Sequence, residues 1–272
     1  MLARQLNRRS AYATNYTEHD KHSMRSRHLV ILVAALVGGC RPERQSEELT
    51  VGAAANLGEV FGQIGRAFRE QGSGEVVFSY ASTADLGRQI TNGAPYDLFA
   101  AADTEHVDAL IASGKLIRES RAVYALGQLA IWVPGGDRAG IKELKDLAGT
   151  HVRFVAVAQP ELAPYGQATI DAIKAAGIWE AVQPKIVYAN NISTAKQLAQ
   201  SGNADAAFTA YSLVLHEGGN ILKVDPKLYH PIEQALAIVA ASPRMEQANQ
   251  FRAFILGNQG RSILSKNGYL LP

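Results

Sequence analysis

The chain has 272 residues, 47% of them hydrophobic and 19% charged, which excludes a disordered polymer and leaves room for two modest domains. Its formal net charge is +2, but residues 1–39 hold six Lys/Arg against two acids, so residues 40–272 carry −2. A weakly acidic folded part excludes nucleic acid as its partner, and any anion it holds is drawn by local dipoles rather than by overall charge.

Residues 1–23 are polar and patternless and read as an upstream extension, with Met24 the better start. Arg25, Arg27 and His28 then precede an unbroken apolar run, Leu29 to Gly39. That run is too short to span a bilayer but suits a signal peptide, placed at 24–39. It ends in LVGGC, residues 36–40. Small residues before a cysteine resemble a bacterial lipobox, in which the thiol receives lipid. Cys40 is the only cysteine, so no intrachain disulfide exists. These features predict an exported, periplasmic lipoprotein tethered to a membrane through Cys40, with residues 40–48 as a solvated tether.

From Leu49 onward short apolar runs alternate with helical patterns. Strands are expected at 49–54, 75–80, 97–101, 129–133, 152–157, 185–188, 205–209 and 235–240. The clearest helix follows the first strand: Leu57, Val60, Phe61, Ile64, Ala67 and Phe68 share one face. Others centre on Leu86–Ile90, Val107–Ile111, Leu144–Leu147, Ile170–Ala176 and Ala195–Ala199, with a last pair near Arg244–Leu256 and Arg261–Lys266. PGGD at 134–137 reads as a turn. This order predicts an α/β protein with mostly parallel sheets flanked by helices. Ligands of such sheets bind where strands end and helices begin.

Four of those helix starts are rich in small, hydroxyl or amide residues and carry no cation: AAANL (53–57), YASTADL (80–86), APYGQ (163–167) and NNISTA (190–195). A helix start exposes unpaired N–H groups at the positive end of a dipole, so each can cradle an anion. No Gly-x-Ser-x-Gly elbow appears. His106, His151, His216 and His230 are scattered without metal spacing, and no phosphate-binding loop is present. The reading is therefore a binding protein without enzymatic activity, cofactor or protein-ligated metal.

AAANL, STADLGRQITNGAPYDLFAAAD (82–103), APYG and NNISTAKQLAQSGNADAAFTAYS (190–212) together resemble the periplasmic molybdate-binding proteins of ABC importers. The likeness runs from about Leu49 to Pro272. It implies a two-lobed type II periplasmic binding protein fold with the ligand cleft between the lobes. Lobe one would span 49–126 plus 232–272 and lobe two 127–231, with crossings near Tyr124–Gln128 and His230–Gln234. It also implies a monomer that captures molybdate or tungstate and passes it to a membrane permease with its ATPase subunit. Another oxyanion such as sulfate or phosphate, or a role as exported sensor, is the alternative.

Carried over residue by residue, the resemblance assigns Asn56 as donor through its amide and neighbouring N–H groups. Thr83 would be a hydroxyl donor, and Ser82 a cap or second donor. Tyr165 would act through its backbone N–H or phenol, with an aromatic lid as the other reading. Ile192 would act through its backbone N–H, Ser193 would cap the helix, and Tyr211 would be a further contact. Asp85 departs from the pattern; a carboxylate in a first helical turn normally faces solvent.

Overall fold

The computed structural model describes residues 48–135 and 140–272. The upstream extension, the signal segment, Cys40, the tether up to residue 47 and the end of the 134–137 turn lie outside the described residues. Among the described residues, ten strands occur in chain order: β1 Leu49–Ala54, β2 Val76–Ala81, β3 Leu98–Ala100, β4 Ala122–Gly127, β5 Leu129–Val133, β6 Val155–Ala158, β7 Ile186–Ala189, β8 Ala206–Ala210, β9 Asn220–Lys223 and β10 Ile232–Ile238. They form two five-stranded sheets, β2-β1-β3-β10-β4 and β7-β6-β8-β5-β9.

The two sheets share one plan. Three neighbouring strands run parallel, the next is reversed (β10 or β5), and the last runs with the first three. The reversed strand is in each case the one that has just crossed from the other sheet. β5 follows β4 with only Gln128 between them, and β10 follows β9 across residues 224–231. A chain that runs straight across a hinge enters the second sheet from the end its other strands point toward, so that strand must be antiparallel.

Among the described residues, eight α-helices cover the sheets: α1 Gly58–Glu70, α2 Thr83–Thr91, α3 Glu105–Ala112, α4 Pro164–Ala175, α5 Trp179–Val182, α6 Ile192–Gln200, α7 Met245–Leu256 and α8 Asn258–Lys266. The apolar face of α1 buries Val60, Phe61, Ile64 and Phe68. Phe68 meets Phe251 and Phe254 of α7 edge-on, at 5.0 and 5.5 Å, which docks the C-terminal helices onto the first sheet. Truncating such a ring costs about 3–5 kcal/mol. On the opposite face, Leu86, Ile90, Val107 and Leu110 of α2 and α3 pack with Phe99 and Ala237. In the second sheet, Ala195 and Ala199 of α6 pack on Trp132, Ala156 and Ala207.

Three local expectations differ from what is found. β4 and β9 were not among the expected strands. Leu144–Leu147 lies in a 3-10 turn, Leu144–Ala148, capped by Glu143 and Asp146, and not in an α-helix. The 152–157 run becomes a strand only at Val155, because the N–H groups of Arg153 and Phe154 donate to the Asp205 carboxylate at 2.7 and 3.0 Å.

Candidate functional site

All four uncharged helix starts meet at one pocket. Its lining comprises Ala54, Ala55 and Asn56 after β1, Ser82 and Thr83 after β2, Ala102 after β3, Ala163, Pro164 and Tyr165 opening α4, and Asn191 and Ile192 opening α6. Each sheet contributes residues that follow the carboxyl ends of its parallel strands. None of these residues is charged. The free space among these residues is small, about that of one water molecule.

Two of the helix starts have no side-chain cap. The turn Ala55–Leu57 begins at Ala54, and α4 begins at Ala163 with Pro164 in its first turn; neither cap residue bonds a helix N–H. Ala55, Asn56, Ala163 and Tyr165 are nonetheless buried. A buried helix end without a cap leaves N–H groups that need a ligand or water. The other two starts are capped. Ser82 accepts from the Asp85 N–H and Asn191 from the Thr194 N–H, so the cap of α6 is Asn191 and not Ser193. Helix geometry still leaves the N–H groups of Thr83 and Ile192, each the first residue of its helix, without an intrahelical acceptor.

The side chains sort differently from the sequence expectation. Thr83 Oγ1 is buried and accepts the Ala102 N–H at 3.1 Å. That bond leaves the hydroxyl proton to be donated. Ser82 instead donates to Asp85 Oδ2 at 2.6 Å and accepts the Asp85 N–H at 3.1 Å. Its proton is therefore committed, and Ser82 acts as a cap. Asp85 also pairs with Arg88 and does not line the pocket. The Asn56 amide, expected as a donor or helix cap, is neither. Its NH2 group donates to Gln234 Oε1 at 2.9 Å and to Tyr269 Oη at 3.0 Å. Both protons of the Asn56 amide are therefore committed behind the pocket, which leaves its backbone N–H as the candidate donor.

The Tyr165 phenol is not a lid. It is buried and accepts from Gln234 Nε2 at 3.0 Å. Burial pushes the Tyr165 and Tyr124 phenols well above their ordinary range, and raises that of Tyr269 also. These hydroxyls stay neutral and protonated. Tyr211 lies outside the pocket. It opens the 3-10 turn Tyr211–Leu213, and the Lys223 ammonium sits 3.9 Å from its ring centre. Ile192 and Thr83 also line the pocket.

The two halves touch directly across the site. Ser193 Oγ donates to Ala55 O at 2.9 Å, and the Ala84 N–H donates to Leu162 O at 3.2 Å.

The NGAPYDLFAAAD segment supports the site more than it lines it. Tyr96 Oη bonds Gln89 and Ser79, and buried Asp97 takes the Thr50 N–H and the Ser242 hydroxyl and pairs with Arg244 at 3.5 Å. From this segment only Ala102 reaches the pocket. Sequence reasoning missed Gln234, Tyr269 and Tyr124, whose hydroxyls and amide hold the site from behind. The one signal was an uncharged polar residue, Gln234, directly before the apolar run ALAI of the same strand.

The family model for bacterial extracellular solute-binding proteins matches residues 49–270. The chain belongs to this family. It is 32% identical over 237 residues to the molybdate-binding protein ModA of Rhodobacter capsulatus, covering 87% of this chain and 93% of that one. To its counterpart from Azotobacter vinelandii it is 31% identical over 249 residues, covering 89% and 96%. The solved structure of the Azotobacter vinelandii periplasmic molybdate-binding protein superposes with a TM-score of 0.77, covering 82% of this chain and 99% of that one. The fold is accordingly the two-lobed periplasmic binding protein fold, and the protein is a solute-binding component rather than an enzyme.

Proposed function

We propose that this protein captures molybdate, and tungstate with it, in the interlobe pocket and delivers it to a membrane permease driven by a separate ATPase. The observation that carries this reading is the convergence of four uncharged helix starts on one compact pocket. Each helix start presents a positive dipole end, offset in part at α2 by Asp85 in its first turn, so together they offset much of a dianion's charge without burying a cation. The candidate donors are the N–H groups of Asn56, Thr83, Tyr165 and Ile192 and the Thr83 hydroxyl. An ion that keeps a proton, such as phosphate near neutral pH, needs an acceptor, and no carboxylate lines the pocket. The molybdate-binding relatives support the choice within the remaining dianions.

The sheet change at Gln128 and between Lys223 and Ile232 supports lobes at 49–126 plus 232–272 and at 127–231. Capture would proceed by closure about these crossings. Cys40 is proposed as the lipid anchor, on the strength of LVGGC; Cys40→Ser should move the protein from the membrane to the soluble fraction.

Calorimetry of the purified protein with molybdate, tungstate, sulfate and phosphate tests the reading. Molybdate and tungstate should bind with similar affinity and phosphate should not bind. Silence with the first two at micromolar protein would overturn it.

A further inference from the structure

Gln234 lines no part of the pocket, yet its side chain joins both of the pocket's halves. It is fully buried on β10. Its Oε1 accepts from Asn56 Nδ2 at 2.9 Å and lies 3.0 Å from Tyr124 Oη. Its Nε2 donates to Tyr165 Oη at 3.0 Å. Asn56 belongs to the first-sheet turn that borders the pocket, and Tyr165 to the second-sheet helix start that faces it. One amide thus ties a pocket residue of each half to the strand that follows the second crossing.

The backbone makes room for this link. A Cβ at Gly127, the last residue of β4, would lie 2.2 Å from Tyr165 Oη and 2.8 Å from Gln234 Nε2. Only a bare α-carbon lets the bond pass. Gly127 stands immediately before the first crossing, so the link runs between the two hinge strands. Tyr269 adds a parallel brace: its hydroxyl donates to Asn56 O at 2.8 Å and accepts from Asn56 Nδ2 and from Ser212 Oγ, both at 3.0 Å.

We infer that Gln234 is a positioning residue for anion capture, holding the Tyr165 helix start against the Asn56 turn when the lobes close. The bond to Tyr165 joins opposite sides of the hinge, so it belongs to the closed arrangement and is given up on opening. Its contribution appears in the residence time of the anion and not in the stability of the open, ligand-free protein. The inference rests on the proposed reading of the pocket as an oxyanion site.

Tyr165→Phe separates the two roles, because it keeps the ring and the pocket N–H and removes only the hydroxyl that takes the Gln234 bond. Stopped-flow and calorimetry with molybdate should show release about three- to tenfold faster with little change in association. The melting temperature without molybdate should be unchanged, while the increment that molybdate adds should shrink. Gly127→Ala, which pushes a methyl group against both Tyr165 Oη and Gln234 Nε2, should also speed release, with an added loss of ligand-free stability because Gln234 lies on the neighbouring strand of the same sheet. Gln234→Met should give a larger effect. An unchanged release rate in Tyr165→Phe, or an equal loss of stability with and without molybdate, would overturn the inference. A wild-type protein that binds neither molybdate nor tungstate would instead overturn the oxyanion reading, and the inference with it.

Discussion

Ser82 and Asp85 hold each other at the start of α2: the serine hydroxyl donates to the carboxylate at 2.6 Å, and the aspartate N–H donates back to the hydroxyl at 3.1 Å. The pair closes the first turn of the helix and turns the serine proton away from the pocket. Asp85 therefore shapes the site at second hand, through the group it removes from the donor set. Asp85→Asn retains an oxygen for Ser82 to donate to, so molybdate affinity should change by less than about twofold. Its exposed pair with Arg88 is worth at most about 1 kcal/mol. A large change in calorimetric affinity would place the carboxylate in contact with the ligand.

Thr83 is expected to be the side-chain donor. Thr83→Val removes the hydroxyl and also strips the Ala102 N–H of its acceptor. A hydrogen bond to a charged partner is worth about 1.5–3 kcal/mol, so affinity should fall by about 10- to 100-fold. Thr83→Ser should recover most of it. Equal affinities of the valine and wild-type proteins would remove Thr83 from the donor set.

Ile192 offers a cleaner test of a backbone donor. It is the first residue of α6, after an extended Asn191 at φ −154° and ψ 173°. Proline is tolerated at that helical position and after extended backbone. Ile192→Pro should keep the helix, as read by circular dichroism, and lower affinity by about tenfold or more. Ile192→Val should bind like wild type. If proline binds as well as valine, this N–H does not meet the anion.

Affinity and stability should respond differently to pH. No titrating side chain other than Tyr165 lines the pocket, and burial moves its phenol upward. Affinity measured by calorimetry should therefore be flat from about pH 6 to 9, with reference values from free side chains. Stability should carry a small slope from His106, whose hydrogen bond to Asp103 at 2.7 Å raises its pKa above the ordinary value. A raised histidine pKa stabilises the fold fully below the unfolded value, about 6.5. That contribution is lost as pH rises through the higher folded value. His106→Gln should flatten that part of the melting-temperature profile and leave affinity alone.

The direct bond from Ser193 to Ala55 O predicts a latch. Ser193→Ala should speed molybdate release a few-fold in stopped-flow traces while α6 stays intact, since Asn191 supplies its cap.

The sequence by itself determined the alternation of strands and helices, the apolar face of α1, and the four helix starts that become the pocket. These are short-range properties: periodicity of 3.6 or 2 and the chemistry of a helix's first turn act within a few residues. β4 and β9 escaped because their identity lies in their partners. AVYALG and NILK become strands by pairing with β10 and β5, and neither has a local pattern that demands it. Tertiary structure alone decided which way the polar side chains face. Asn56, Ser82 and Tyr165 were legible as site residues, yet the first gives its amide to Gln234, 178 positions away, the second its proton to Asp85, and the third its phenol to the hinge. A residue's type fixes what it can donate. Which acceptor receives it depends on what the fold brings within 3 Å, and for Gln234, Tyr269 and Gly127 that is set by the two crossings between the sheets.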